Sequence, residues 1–211
     1  MRPALAVIAK APVPGRVKTR LCPPCTPQQA ATLARAALRD TLDAVRATGA
    51  ARRVVVLDGA PGRWLDPGLE VLPQRGDGLD ERLANAFADI GGPAVIVGMD
   101  TPQVTPALLA AAMRTLTHRR AVLGPARDGG YWAIGLRDAD AGALLGVPMS
   151  RADTFAAQRA RLVELGRPPA LLPVLTDVDD APTARAVAAA LPPRSAFARV
   201  ARALGLAAEA A

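Results

Sequence analysis

The chain has 211 residues, with 26 Lys or Arg against 19 Asp or Glu for a formal net charge of +7, and 51% of it is hydrophobic. That apolar fraction suits a single folded domain over 1–211 and excludes disorder as the main state. Aromatic residues make up only 3%, too few for a platform that stacks single-stranded nucleic acid, and no apolar run reaches the roughly 18 residues of a membrane span.

The first element is a short apolar run, Pro3 to Ile8, read as a buried strand. It is too brief before Lys10 for a secretory signal, so a cytoplasmic protein is expected. Ala9 to Pro24 reads as a loop rich in Pro, Gly and basic residues. Thr26-Pro27 then supplies an N-cap and a first-turn proline for a helix to Thr48, which Gly49 stops. Arg53–Leu57 is a second strand and Leu69–Leu72 a short third. Leu79–Ile90 is helical, Ala94–Gly98 is a buried strand, and Thr105-Pro106 opens a helix to His118. Ala121–Gly124 and Tyr131–Leu136 are strands around a tight loop. Asp153–Leu165 is helical and Ala170–Leu175 a strand. Pro182–Leu204 is helical with a break at Pro192-Pro193, and the Ala-rich end, about 205–211, is expected to fray. Strands that are continuous apolar runs, alternating with helices, predict an α/β sheet covered on both faces.

In such sheets ligands bind beyond the carboxyl ends of the strands, and three unusual segments follow strands. The first holds Lys10, Arg16, Lys18 and Arg20 around Pro14 and Gly15. Lys10 and Lys18 are the only lysines in the chain; the other 24 basic residues are Arg. Four cations in eleven residues suit a polyphosphate, gripped by Arg forks and Lys point charges; a solvated basic loop is the plainer alternative. The glycine-lysine spacing of a Walker A loop is absent. The second segment ends in Asp100 and the third carries Asp177, Asp179 and Asp180. Converging carboxylates call for a cation, and Mg²⁺ (or Mn²⁺) shared with substrate phosphates answers that need; helix capping before Pro102 and Pro182 is the alternative.

Asp128-Gly129-Gly130-Tyr131 is either a plain hairpin turn or the wall of a small-molecule pocket. Gln74 to Gly78 is a glycine-bearing loop before a helix N-terminus, able to offer backbone groups to a base or phosphate. Cys22-Pro-Pro-Cys25 lacks partners for zinc, since the chain has no other Cys and one His, His118; incidental thiols are expected over a redox pair.

Taken in order, Lys10-Ala-Pro-Val-Pro-Gly-Arg-Val-Lys-Thr-Arg-Leu21, Gly78-Leu-Asp-Glu-Arg-Leu83, Gly98-Met-Asp-Thr-Pro102, Gly124-Pro-Ala-Arg-Asp-Gly-Gly-Tyr131 and Asp177-Val-Asp-Asp180 resemble the signatures of the bacterial glycosyltransferase-like (DUF2064-type) family. That family lies within the nucleotide-diphospho-sugar transferase (GT-A) superfamily. The Lys-Thr-Arg-Leu element is also similar to the start of 2-phospholactate guanylyltransferases. The resemblance implies a GT-A fold, a mixed and mostly parallel Rossmann-like sheet with helices on both faces. It implies a metal held by Asp100 and Asp179, and nucleotide contacts from Lys10, Pro14, Gly15, Arg16, Lys18, Arg20, Gln74, Gly78 and Arg82. Met99 stands where a small residue is common in the family, and Asp80 where glycine is common.

Two reactions share this scaffold. Nucleotidyl transfer from a nucleoside triphosphate to a small anionic acceptor releases pyrophosphate; glycosyl transfer from a nucleotide sugar releases a nucleoside diphosphate. The heavy cationic loop favours the first, with Lys18 and Arg20 facing the departing pyrophosphate, Asp100 on the metal, and Asp128, Gly129, Gly130 and Tyr131 at the acceptor. Nucleic-acid binding is a third reading, disfavoured because the remaining Arg are scattered among acidic neighbours.

Overall fold

The computed structural model describes residues 2–206; Met1 and 207–211, which hold most of the stretch expected to fray, lie outside the described residues. A seven-stranded sheet forms the centre, from β1 (Ala4–Lys10), β2 (Arg53–Asp58), β3 (Glu70–Pro73), β4 (Ala94–Gly98), β5 (Ala121–Pro125), β6 (Tyr131–Leu136) and β7 (Ala170–Leu171). The helices are α1 (Pro27–Ala47), α2 (Leu79–Ile90), α3 (Pro106–His118), α4 (Thr154–Glu164), α5 (Ala181–Ala190) and α6 (Ala196–Ala203). Strand order is β3-β2-β1-β4-β6-β5-β7. Only β6 runs against its neighbours; the other pairings, β1 with β2 and β4, β2 with β3, and β5 with β7, are parallel. The expected mixed, mostly parallel α/β architecture of the GT-A type is therefore present.

Alternate residues of each strand face opposite layers. Leu5, Val7, Val55, Val95 and Val97 pack with α1 and α3, whereas Ala6, Val54, Val56 and Ile96 pack with Phe87 and Ile90 of α2. Helix starts follow the expected chemistry. Thr26 Oγ1 accepts from Gln29 N at 3.2 Å while Gln29 Oε1 accepts from Thr26 N at 2.8 Å, a reciprocal cap, and Thr105 caps α3 through Leu108 N.

Two boundaries differ from the sequence reading by more than one residue. β1 continues past Ile8 to Lys10, because Ala9 and Lys10 still find partners in Leu57 and Asp58. The strand expected over Ala170–Leu175 keeps only Ala170–Leu171. Pro173 has no N–H to give the ladder, and its carbonyl turns instead to Trp132 Nε1 at 2.9 Å. Intermittent bonds from Leu172 N to Leu123 O and from Leu175 N to Pro125 O hold the rest alongside β5.

A third apolar cluster lies outside the sheet, where α1, α5 and α6 meet around Leu21, Leu33, Val187 and Phe197. Asp40 of α1 closes it by accepting from the N–H groups of Ala196 and Phe197, both at 2.8 Å, and so caps α6 from another helix. Cys25 is buried in the same cluster, Cys22 is half-buried, and the two are not bonded to each other. Burial, and then the neighbouring Cys22, push the Cys25 thiol up from its ordinary pKa, the opposite of an activated thiol.

Asp40→Ala removes both acceptors and is expected to cost about 1–2 kcal/mol, read as a lower urea midpoint with an unchanged slope. With Ellman's reagent at pH 8, Cys22 is expected to react in the folded protein and Cys25 only after denaturation. Simultaneous rapid reaction of both thiols would contradict the packing described.

Candidate active site

The carboxyl end of β1 delivers the cationic loop to the mouth of the sheet. Lys10 is exposed there, and its backbone N–H donates to Met99 Sδ at 3.2 Å, which gives the unusual methionine a place beside the strand end. The loop turns at Gly15, whose φ of +78° suits a residue without a side chain. Lys18 adopts the left-handed conformation, φ 51° and ψ 39°, uncommon for a residue with a Cβ, and opens a 3₁₀ turn over Thr19–Leu21.

That backbone aims the Lys18 ammonium between two carboxylates. Nζ lies 2.6 Å from Asp100 Oδ1 and 3.3 Å from Asp179 Oδ1, with only 7% of the side chain exposed. Burial pulls its pKa down, but Asp100 and Asp179 outweigh burial and hold it above the ordinary lysine value. Arg20 reaches Asp179 Oδ2 at 3.9 Å while remaining 80% exposed. The position of Lys18, expected opposite a departing pyrophosphate, is thus between the expected metal ligands.

The acidic segments are stitched together by backbone. Val178 N donates to Asp100 O at 2.9 Å, which holds 177–180 against the end of β4. Asp180 serves as the cap of α5: its Oδ1 accepts from Thr183 N at 2.9 Å, and that bond lowers its pKa. Asp177 is half-buried, with one carboxylate oxygen closed off from solvent. Burial first, and then Asp100, Asp128 and Asp179, raise its pKa to about 7 against the opposing pull of Lys18. Its Oδ1 is buried without a hydrogen-bond partner.

These residues fit a divalent cation. Asp100 and Asp179 already converge on one positive charge, and Asp177 carries an unpaired oxygen in the same cleft. Among the described residues no group of three or more His, Cys, Asp or Glu forms a ready metal cage. Substrate oxygens would complete the shell, as is usual for Mg²⁺.

The opposite wall comes from the loop after β3, from α2 and from β6. Gln74 spends its amide donors on Ala9 O at 2.8 Å and Val56 O at 3.0 Å, pinning the ends of β1 and β2. Arg82 donates to Gly76 O at 3.0 Å and Asp58 Oδ2 at 3.1 Å, which fixes the loop before α2. Asp80 accepts from Gly146 N at 3.0 Å, a use for a carboxylate at that unusual position. Because β6 is antiparallel, its first residues, Tyr131 and Trp132, stand at the carboxyl end of β4. The Tyr131 ring lines the cleft, but its hydroxyl is 3.3 Å from Gln158 Oε1 and donates away from it, and burial pushes its pKa up.

The cleft measures about 550 Å³, within the range of small-molecule sites. It brings together Lys10, Arg16, Lys18, Arg20, Gln74, Arg82, Asp100, Tyr131 and Asp179. Pro14, Gly15, Gly78, Asp128, Gly129 and Gly130 are not among its lining residues. Asp128 instead accepts from Gly130 N at 2.9 Å in the hairpin turn. A Cβ on Gly129 would fall 2.0 Å from Ala152 O, so that turn packs on the segment before α4. Sequence reasoning named Asp177 among the converging carboxylates, but it passed over Asp77 and Ser150. Asp77 lies within the Gln74–Gly78 loop already singled out and could have been found; Ser150 lies in a loop with no signal of its own.

The chain has no match among curated proteins. Solved structures resemble it. A protein provisionally named a nucleotide-diphospho-sugar transferase, from Desulfovibrio desulfuricans G20, is 26% identical with a TM-score of 0.83, covering 99% of each chain. Rv0371c from Mycobacterium tuberculosis H37Rv, solved with manganese, is 23% identical with a TM-score of 0.55, covering 88% of this chain and 97% of that one. A nucleotidyl transferase from Methanothermobacter thermautotrophicus is 16% identical with a TM-score of 0.52, covering 82% of this chain and 88% of that one. At the sequence level a family profile matches residues 32–151, taking in Gln74, Arg82 and Asp100. On that match, over more than half its length, the chain belongs to the family described as uncharacterized protein conserved in bacteria (DUF2064).

Proposed function

We propose that the protein is a nucleotide-using transferase, and that its reaction is nucleotidyl transfer from a nucleoside triphosphate to a small anionic acceptor. The carrying observation is the arrangement of charge in the cleft: Lys10 at the end of β1 and Arg16 and Arg20 on the loop after it face an acidic end built from Asp100, Asp177 and Asp179. Lys10 and Arg16 have no side-chain partner among the described residues, so both are available to an anion. The solved nucleotidyl transferase and the manganese complex share the fold and support a nucleotide and a divalent cation as ligands.

In this reaction an anionic acceptor oxygen attacks the α-phosphorus. The new P–O bond forms as the bond to the β-phosphate breaks, and pyrophosphate departs with the electron pair. Lys10, Arg16 and Arg20 meet the charge that develops on it, and such preorganised charge acts strongly in a confined site. Gln74 and Arg82 hold the strand ends and the loop before α2, which keeps the cleft's nucleotide side in place. Asp100 and Asp179 would hold Mg²⁺ or Mn²⁺, which when bound neutralises phosphate oxygens. An anionic acceptor needs no general base. It would enter by Tyr131, whose ring closes the β6 side.

Glycosyl transfer from a nucleotide sugar is the second reading, favoured by the name and the 0.83 TM-score of the Desulfovibrio structure. Nucleic-acid binding has less support: several surface arginines outside the cleft are paired with local carboxylates, as in Arg75 with Asp89 and Arg151 with Asp153. No helix among the described residues is long and apolar enough to cross a membrane.

Incubation with each of the four nucleoside triphosphates, Mg²⁺ and phosphorylated acceptors is expected to release pyrophosphate. Arg20→Ala is expected to lower kcat by about tenfold to a hundredfold without changing the thermal midpoint, since Arg20 is exposed. Turnover of sugar nucleotides with no pyrophosphate from any triphosphate would decide for glycosyl transfer.

A further inference from the structure

Lys18 occupies the point where the two expected metal ligands converge. Its ammonium touches both Asp100 and Asp179, and its side chain is nearly closed off from solvent. The residue type matters. This chain uses Arg at 24 of its 26 basic positions, yet here it keeps a lysine. A compact ammonium is a point charge that fits between two carboxylates, where a planar guanidinium would not. Its left-handed backbone is also a costly conformation held at a functional cleft.

An ammonium and a divalent cation cannot both occupy that point, because like charges within about 4 Å repel strongly at any protein dielectric. We propose that Lys18 is a resident counter-ion of the Asp100–Asp179 pair that a divalent cation must displace, so that the cation binds weakly alone and firmly together with an anionic donor. This rests on the reading of Asp100 and Asp179 as metal ligands.

The donor resolves the conflict. Its phosphates give the displaced ammonium a new anion, and the cleft already carries Arg16 and Arg20 on the same loop. Cation and phosphate binding are then positively coupled through one side chain, and the coupling is reciprocal. In the absence of donor, Lys18 keeps three carboxylates from repelling one another. The carboxylates hold the ammonium buried, so the loop stays docked on the end of β4.

The presence of just two lysines makes the test direct. Protein carrying isotope-labelled lysine should show two side-chain ammonium or Cε signals, and Lys10→Arg assigns them. Mg²⁺ alone should leave the Lys18 signal near its starting position at millimolar concentration, and Mg²⁺ with inorganic pyrophosphate should move it. A Lys18 signal that stays in place at saturation by both overturns the proposal, and this arm needs no variant at Lys18.

Calorimetry with Mn²⁺ alone supplies the second arm. Lys18→Met is expected to bind Mn²⁺ at least about tenfold more tightly than the unmodified protein, and Mn²⁺ should raise its thermal midpoint more. Equal or weaker binding by Lys18→Met, with Asp100→Asn abolishing it, overturns the displacement while leaving the metal ligands in place. Mn²⁺ binding that survives Asp100→Asn in both backgrounds overturns the metal reading and this proposal together.

Discussion

The cleft depends on one ammonium held between two carboxylates. Lys18, Asp100 and Asp179 come from three parts of the chain: the loop after β1, the end of β4 and the segment before α5. Their ion pair therefore does more than balance charge. It fixes where the cationic loop ends and where the acidic segment begins. The net favourable part of such a pair is modest, because burial costs each ion its water. Loss of the Lys18 ammonium is a larger matter, since it strands the like charges of Asp100 and Asp179 beside Asp177, whose carboxyl already sits high from burial and acidic company.

Topology brings these groups to one place. Parallel strands point their carboxyl ends the same way, so the loops after β1, β2 and β4 open on one edge of the sheet. The reversal of β6 adds a second source of wall, bringing the start of a strand to the edge where the others finish. Polar fixings then hold each loop in position: Gln74 across β1 and β2, Arg82 to Asp58, and Val178 to Asp100. Few of these fixings touch the middle of the cleft, where an anion and its counter-ion would lie.

The sheet, its helices and the membership of the cleft could be read largely from sequence, because apolar runs, caps and charged loops at strand ends are local signals. Asp100 and Lys18 stood out in this way. Their contact did not, since nothing local says that the side chain of a loop lysine turns inward through a left-handed backbone. The Asp128–Gly130 turn shows the reverse. Its composition suits a ligand wall, but Gly129 is required by the approach of Ala152, a contact between distant segments that no spacing rule exposes. Tyr131 was placed correctly along β6, while the direction of its hydroxyl was decided by Gln158 on α4.

The ends of the sheet carry a consequence for the molecule at high protein concentration. At one end β3 is four residues long and finishes in Pro73. At the other β7 pairs for two residues before Pro173 interrupts it. Neither border presents the long, regular row of unpaired amide and carbonyl groups that recruits a foreign strand. Apolar side chains such as Leu171 and Val174 are exposed along the β7 border, where sticky surface without a hydrogen-bonding template gives little purchase for ordered fibre growth. The proline that shortened the predicted strand is thus also a safeguard for a chain whose remaining strands are almost wholly apolar.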